Sequence, residues 1–144
     1  MTDQLIATRR LDADIALVWR VLTTPEHLAA FWGGDHATVP AASVTLDLRV
    51  GGHFALNTVG LDGTPGRRLT FRYEVVDEPR LLVLGEPESG IRTEIRLEPV
   101  PGGTTITIHQ RHVPPELRTS RARRGLAGML TKLHHVTTEL RGRR

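Results

Sequence analysis

The sequence predicts an α+β fold: a curved antiparallel sheet wrapped around one long C-terminal helix, with two short helices after the first strand. Three observations carry that expectation. From Ser43 to His112 apolar residues recur at a period of two, and the turns between runs are too short for crossover connections, so the strands must be antiparallel. Beyond Pro114-Pro115 the period becomes 3.6, with Leu126, Met129, Leu130, Leu133, Val136 and Leu140 on one stripe. Two apolar stretches with helix-start signals lie between the first strand and the sheet.

Gln4 to Leu11 carries strand-compatible residues and makes the opening strand. Asp12 and Asp14 offer N-cap carboxylates to a helix whose stripe is Ile15, Val18, Trp19 and Leu22. Thr24-Pro25-Glu26 starts a second helix through Leu28 and Phe31, with a capping hydroxyl, a proline in the first turn and an acid at the positive end of the dipole. Gly33-Gly34 ends it.

Val44, Leu46, Leu48 and Val50 alternate with polar neighbours and predict a strand from Ser43 to Val50. Gly51-Gly52 turns it into a strand from His53 to Val59, and Gly60 to Gly66 makes a looser turn. Leu69, Phe71, Tyr73 and Val75 form the next dry face, broken at Glu78-Pro79. A short strand follows at Arg80 to Gly85. Ile91 to Glu98 then returns through Pro101-Gly102-Gly103 into Thr104 to His112. The closing helix runs from about Thr119 to about Arg141, roughly 30 Å at 1.5 Å per residue, long enough to cross the sheet.

The chain has 144 residues, 39% hydrophobic and 24% charged, which fits one domain over 1–144. It has no cysteine, excluding disulfides, thiolate metal sites and a cysteine nucleophile. No run of about 18 apolar residues suggests a membrane span, and Met1 to Arg10 lacks the order of a secretion signal, so a cytoplasmic protein without a membrane partner is expected. The net charge of +3 is uneven: Met1 to Gln110 holds ten Arg against fourteen acids, whereas Arg111 to Arg144 holds eight Arg and Lys132 against two acids. Arg118, Arg121, Arg123 and Arg124 gather at the start of the last helix, where cations oppose the dipole unless an anion offsets them. No aromatics interleave them as stacking on bases would need, so nucleic acid is not the expected partner.

Seven histidines do not make a metal site. His109 and His112, three apart on a strand, leave on opposite faces, and His134 and His135 diverge by about 100° on a helix. No nucleophile elbow, phosphate-binding glycine loop or His-Glu-x-x-His motif is present, so neither a cofactor nor a catalytic residue is assigned.

A long straight helix on a strongly twisted sheet touches it well in places and gapes in others, near the two short helices. The expected cavity draws Phe54, Leu56, Phe71 and Tyr73 from the strands, Met129 and Leu133 from the helix, and Trp32 from the end of the second short helix. If Ile106 and Ile108 face inward, Gln110 and His112 share their parity, and Glu86 shares that of Leu82 and Leu84. These polar groups would orient a mostly apolar ligand.

Several stretches resemble a known superfamily. They are Arg10 to Trp32, the Asp47-Leu48-Arg49-Val50-Gly51-Gly52-x-Phe54 run, and Glu74-Val75-Val76-Asp77-x-Pro79-Arg80-Leu81-Leu82-Val83. They are similar to segments of the SRPBCC (START-like, helix-grip) superfamily, in the branch named for the activator of the ninety-kilodalton heat-shock-protein ATPase. The Gly102-Gly103 turn, the strand after it and the closing helix fit in order. Leu126 stands where many members carry a tryptophan after the helix glycine, and Glu86 where many carry an aromatic. The resemblance implies a helix-grip fold and a small hydrophobic ligand. Two other functions stay open: a cyclase- or hydratase-like enzyme using Glu86, Gln110 and His112 in the same cavity, and a co-chaperone or interaction module binding acidic partners through the arginine cluster. Monomer and homodimer stay open too.

Overall fold

The computed structural model describes residues 3–142. Strand β1 (Leu5–Leu11) leads into helices α1 (Ile15–Leu22) and α2 (Pro25–Phe31). Strands β2 (Ala37–Thr38), β3 (Thr45–Leu46), β4 (His53–Gly60), β5 (Pro65–Asp77), β6 (Leu81–Gly85), β7 (Arg92–Val100) and β8 (Gly103–Arg111) follow, and helix α3 (Ser120–Gly142) closes the order. The strands form one antiparallel sheet in the order β1-β8-β7-β6-β5-β4-β2, with β3 also on β4. The sheet curls into a half-barrel that grips α3. This is the α+β helix-grip arrangement expected from the switch of period.

The Asp14 carboxylate accepts from the Leu17 N–H at 2.8 Å and starts α1, which buries Leu17, Val18, Trp19, Val21 and Leu22. Helix α2 begins at Pro25 as expected, but Thr24 does not cap it. Its hydroxyl instead donates to the Arg20 carbonyl at 2.5 Å, beside the Thr23 N–H that caps α1 on the same oxygen, because the end of α1 lies only two residues behind. Thr119 Oγ1 accepts from the Ala122 N–H at 3.1 Å at the start of α3. Leu126, Leu130 and Leu133 of α3 are buried, and Met129, Val136 and Leu140 pack against them half-buried.

The strand expected from Ser43 to Val50 is mostly absent. Only Thr45 and Leu46 pair with β4, at Ala55 and Phe54. A helical turn at Ala41–Ser43 precedes them, and beyond them the chain folds back, with the Arg49 guanidinium on the Asp47 carboxylate at 2.7 Å. The glycine pair drives this reversal. Gly51 N–H donates to Tyr73 O and Tyr73 N–H to Gly52 O, so the glycines themselves occupy the place beside β5. A Cβ on Gly52 would meet the Asp47 carbonyl oxygen at 2.1 Å. Val50 is left exposed, and the apolar alternation there is not a strand face.

Candidate functional site

Alternation along β5, β7 and β8 points Phe71, Thr93, Ile95, Ile108 and Gln110 at the concave face, where register aligns Thr93 with Gln110 and Ile95 with Ile108. Trp32 follows α2 and turns its ring onto β4 and β5, edge-on to Phe54 at 5.0 Å and to Phe71 at 5.6 Å. Phe54 and Phe71, partners in register, stack at 5.5 Å. The loop behind Trp32 sets the position of α3. Gly34 has φ +57°, and a Cβ there would meet Gly125 O and Met129 N at 3.3 Å, while one on Gly128 would meet the Asp35 carboxylate at 2.8 Å. Backbone therefore packs on backbone, and Leu126 and Met129 are held over the aromatic rings.

Between these walls lies a recess of about 150 Å³, lined by Trp32, Leu69, Phe71, Ile95, Ile108, Leu126 and Met129, with Glu86, Thr93 and Gln110 as its polar groups. Gln110 Nε2 donates to Thr93 Oγ1 at 3.4 Å. Glu86 is fixed through its backbone: its N–H donates to Ile91 O at 2.9 Å, and its carbonyl accepts from Gly90 N–H at 2.8 Å, closing the tight β6–β7 turn. Its half-buried carboxylate has no hydrogen-bond or ion-pair partner among the described residues. Larger grooves of about 310 to 470 Å³ lie elsewhere, but they open onto charged surface, and none has this aromatic wall.

Of the ten residues expected at the cavity, Trp32, Phe71, Glu86, Gln110 and Met129 line this recess. Phe54, Leu56, Tyr73 and Leu133 are packed solidly into the core instead. Burial raises the Tyr73 phenol above its ordinary pKa near 10, so the group stays neutral. His112 departs from the expected parity. It follows β8 with φ +61°, a left-handed turn that breaks the strand alternation, and its side chain is 66% exposed with Nδ1 3.6 Å from Asp3 Oδ2. It shares only the outer groove with Glu86, so the inward Glu86–His112 proton pair of the enzyme reading is not formed. Nor is His109 available: it pairs with the Gln4 side chain at 2.8 Å. Among the described residues no group of three or more His, Asp or Glu could hold a metal ion.

Leu69, Thr93, Ile95, Ile108 and Leu126 line the recess without having been expected there. The alternation of Thr93, Ile95 and Leu97 already placed the two β7 residues on one face, and only the register across to Gln110 and Ile108 was missing.

The model of the Activator of Hsp90 ATPase homolog 1-like protein family matches residues 12–138, nearly the whole chain. The chain belongs to this family. Three solved structures are similar to this Activator of Hsp90 ATPase homolog 1-like chain in fold. A protein of Nitrosomonas europaea has a TM-score of 0.84 at 22% identity, covering 96% of each chain. One of Chromobacterium violaceum scores 0.82 at 20% identity over 93% of this chain and 96% of its own. An AHSA1-like protein of Aeromonas hydrophila scores 0.82 at 20% identity over 96% and 94%. At these identities the likeness speaks for the fold alone. Comparison with curated proteins finds no match. Among the described residues no helix is long and apolar enough to cross a membrane. Leu126 and Glu86 both line the recess.

Proposed function

We propose that the protein binds a compact, largely apolar small molecule, one or two rings in size, between α3 and the sheet. The observation that carries this reading is the recess itself: apolar and aromatic walls, with a polar edge containing an unpartnered carboxylate. Size limits the ligand. Pockets for drug-sized molecules run to about 300–1,000 Å³, whereas an apolar cavity of about 150 Å³ takes a molecule of benzene's class. Desolvation of the ring supplies the affinity, and Glu86 with the Gln110–Thr93 pair fixes its polar substituent.

Calorimetric titration with indole, phenethyl alcohol and palmitate tests the proposal. Saturable binding of the two compact rings with no heat from the sixteen-carbon chain is the expected result. The reverse order, or no binding by any of the three, overturns it.

A further inference from the structure

The free edge of the sheet, beside α3, offers a second binding feature. β1 is the terminal strand, paired along its length with β8 and with no other strand. Among the described residues, the backbone groups of Ile6 to Arg9 that point away from β8 have no partner in the protein. A groove of about 310 Å³ runs along this edge, walled by Ile6, Ala7, Thr8 and Arg9 on one side and by Arg123, Ala127, Leu130 and Thr131 of α3 on the other. Successive strand residues face opposite ways, so four in a row line one groove only where the backbone edge forms its wall.

The charge in this groove is of one sign. Arg9 sits on the inner face opposite Ile106, and its Nε is buried without a hydrogen-bond partner. Arg123 is exposed on α3, and no carboxylate lines the groove. Neither guanidinium has an ion-pair partner among the described residues. An exposed edge strand is a template for another strand, and like charges along it reject a second copy of the same edge. A strand of opposite charge meets no such barrier, and the basic C-terminal third of the chain steers it in.

We propose that this edge docks an extended acidic segment of a partner protein by strand addition to β1, with its carboxylates on Arg9 and Arg123. Main-chain hydrogen bonds to β1 would supply the affinity, and the two arginines the selection for acid. The site is separate from the ligand recess, so neither reading depends on the other.

The test uses an eight-residue peptide alternating valine and glutamate, capped at both ends, titrated into the full chain at low and at physiological salt. Amide hydrogen exchange and amide chemical shifts are the readouts. Alternate amides of Ile6 to Arg9 should become at least about tenfold slower to exchange, and Arg123→Gln, a change at an exposed position, should weaken binding about three- to tenfold. Arg9→Gln should weaken it as well, and Arg123→Gln keeps the test valid if that half-buried site tolerates no change. Equal binding by the same peptide with all its interior amides N-methylated overturns the proposal, since charge alone would then suffice. Equal binding by the valine–lysine peptide, shifts confined to Arg121 and Arg124, or dimerisation through β1 overturns it too.

Discussion

Replacing Leu126 by tryptophan should stabilise the protein and abolish ligand binding. Leu126 is buried on α3 and lines the recess of about 150 Å³. An indole in place of the isobutyl group adds roughly 60 Å³, and at about 24 cal/mol per Å³ of cavity removed the gain is about 1.4 kcal/mol. Forcing the same ring into a filled core would cost about 1–3 kcal/mol instead, so the sign of the change separates a hollow from a packed interior. For a domain of this size the gain raises the melting temperature by about 5 °C. Scanning calorimetry without ligand, followed by titration with indole, reads both effects. A lowered melting temperature together with undiminished indole binding would refute the reasoning, because the ligand would then sit elsewhere and Leu126 would border no free space.

Three further outcomes follow from the fold. Tyr73→Phe should remove an alkaline loss of stability: burial raises the folded phenol's pKa above the unfolded value near 10, so its contribution is complete below that pH and declines above it by up to about 1.4 kcal/mol per pH unit. Urea unfolding of both proteins between pH 9 and 11 checks this, and parallel pH profiles would contradict it. Leu133→Ala, at a fully buried position of α3, should cost about 2–5 kcal/mol, whereas Leu117→Ala, at a residue 45% exposed, should stay within about 0.5 kcal/mol of the parent by the same assay. Gly34→Ala should cost about 1–2 kcal/mol, since φ is +57° and the new Cβ would press on the α3 backbone at 3.3 Å; a neutral thermal shift would argue against that close approach.

The parts of the fold that were legible in the sequence are those where one physical signal dominates. The stripe from Leu126 to Leu140 can be satisfied only by a long helix lying on something apolar, and the closely spaced turns allow only an antiparallel sheet. Signals failed where backbone competed with side-chain pattern. Val44 to Val50 alternates like a strand, but Gly51 and Gly52 take the hydrogen bonds of β5 and turn the chain away. The two-residue β2 carries too few residues for any pattern. At the site, parity placed Gln110 and Glu86 on the concave side, yet failed two residues further on, where His112 adopts a left-handed backbone. Which inward residues border empty space and which fill it depends on how closely α3 approaches each strand. A single sequence does not encode that distance in its periodicity, so Phe54 and Leu133 could not be told apart from Phe71 and Met129.

Isotope-filtered NMR with methyl-labelled protein and unlabelled indole measures the occupied space directly. Intermolecular contacts confined to the methyl groups of Ile95, Ile108, Leu126 and Met129 are the predicted result. Contacts instead to the exposed Ile6, Val50 or Leu61 methyls, with the four recess residues silent, would contradict a sheltered site between the closing helix and the sheet.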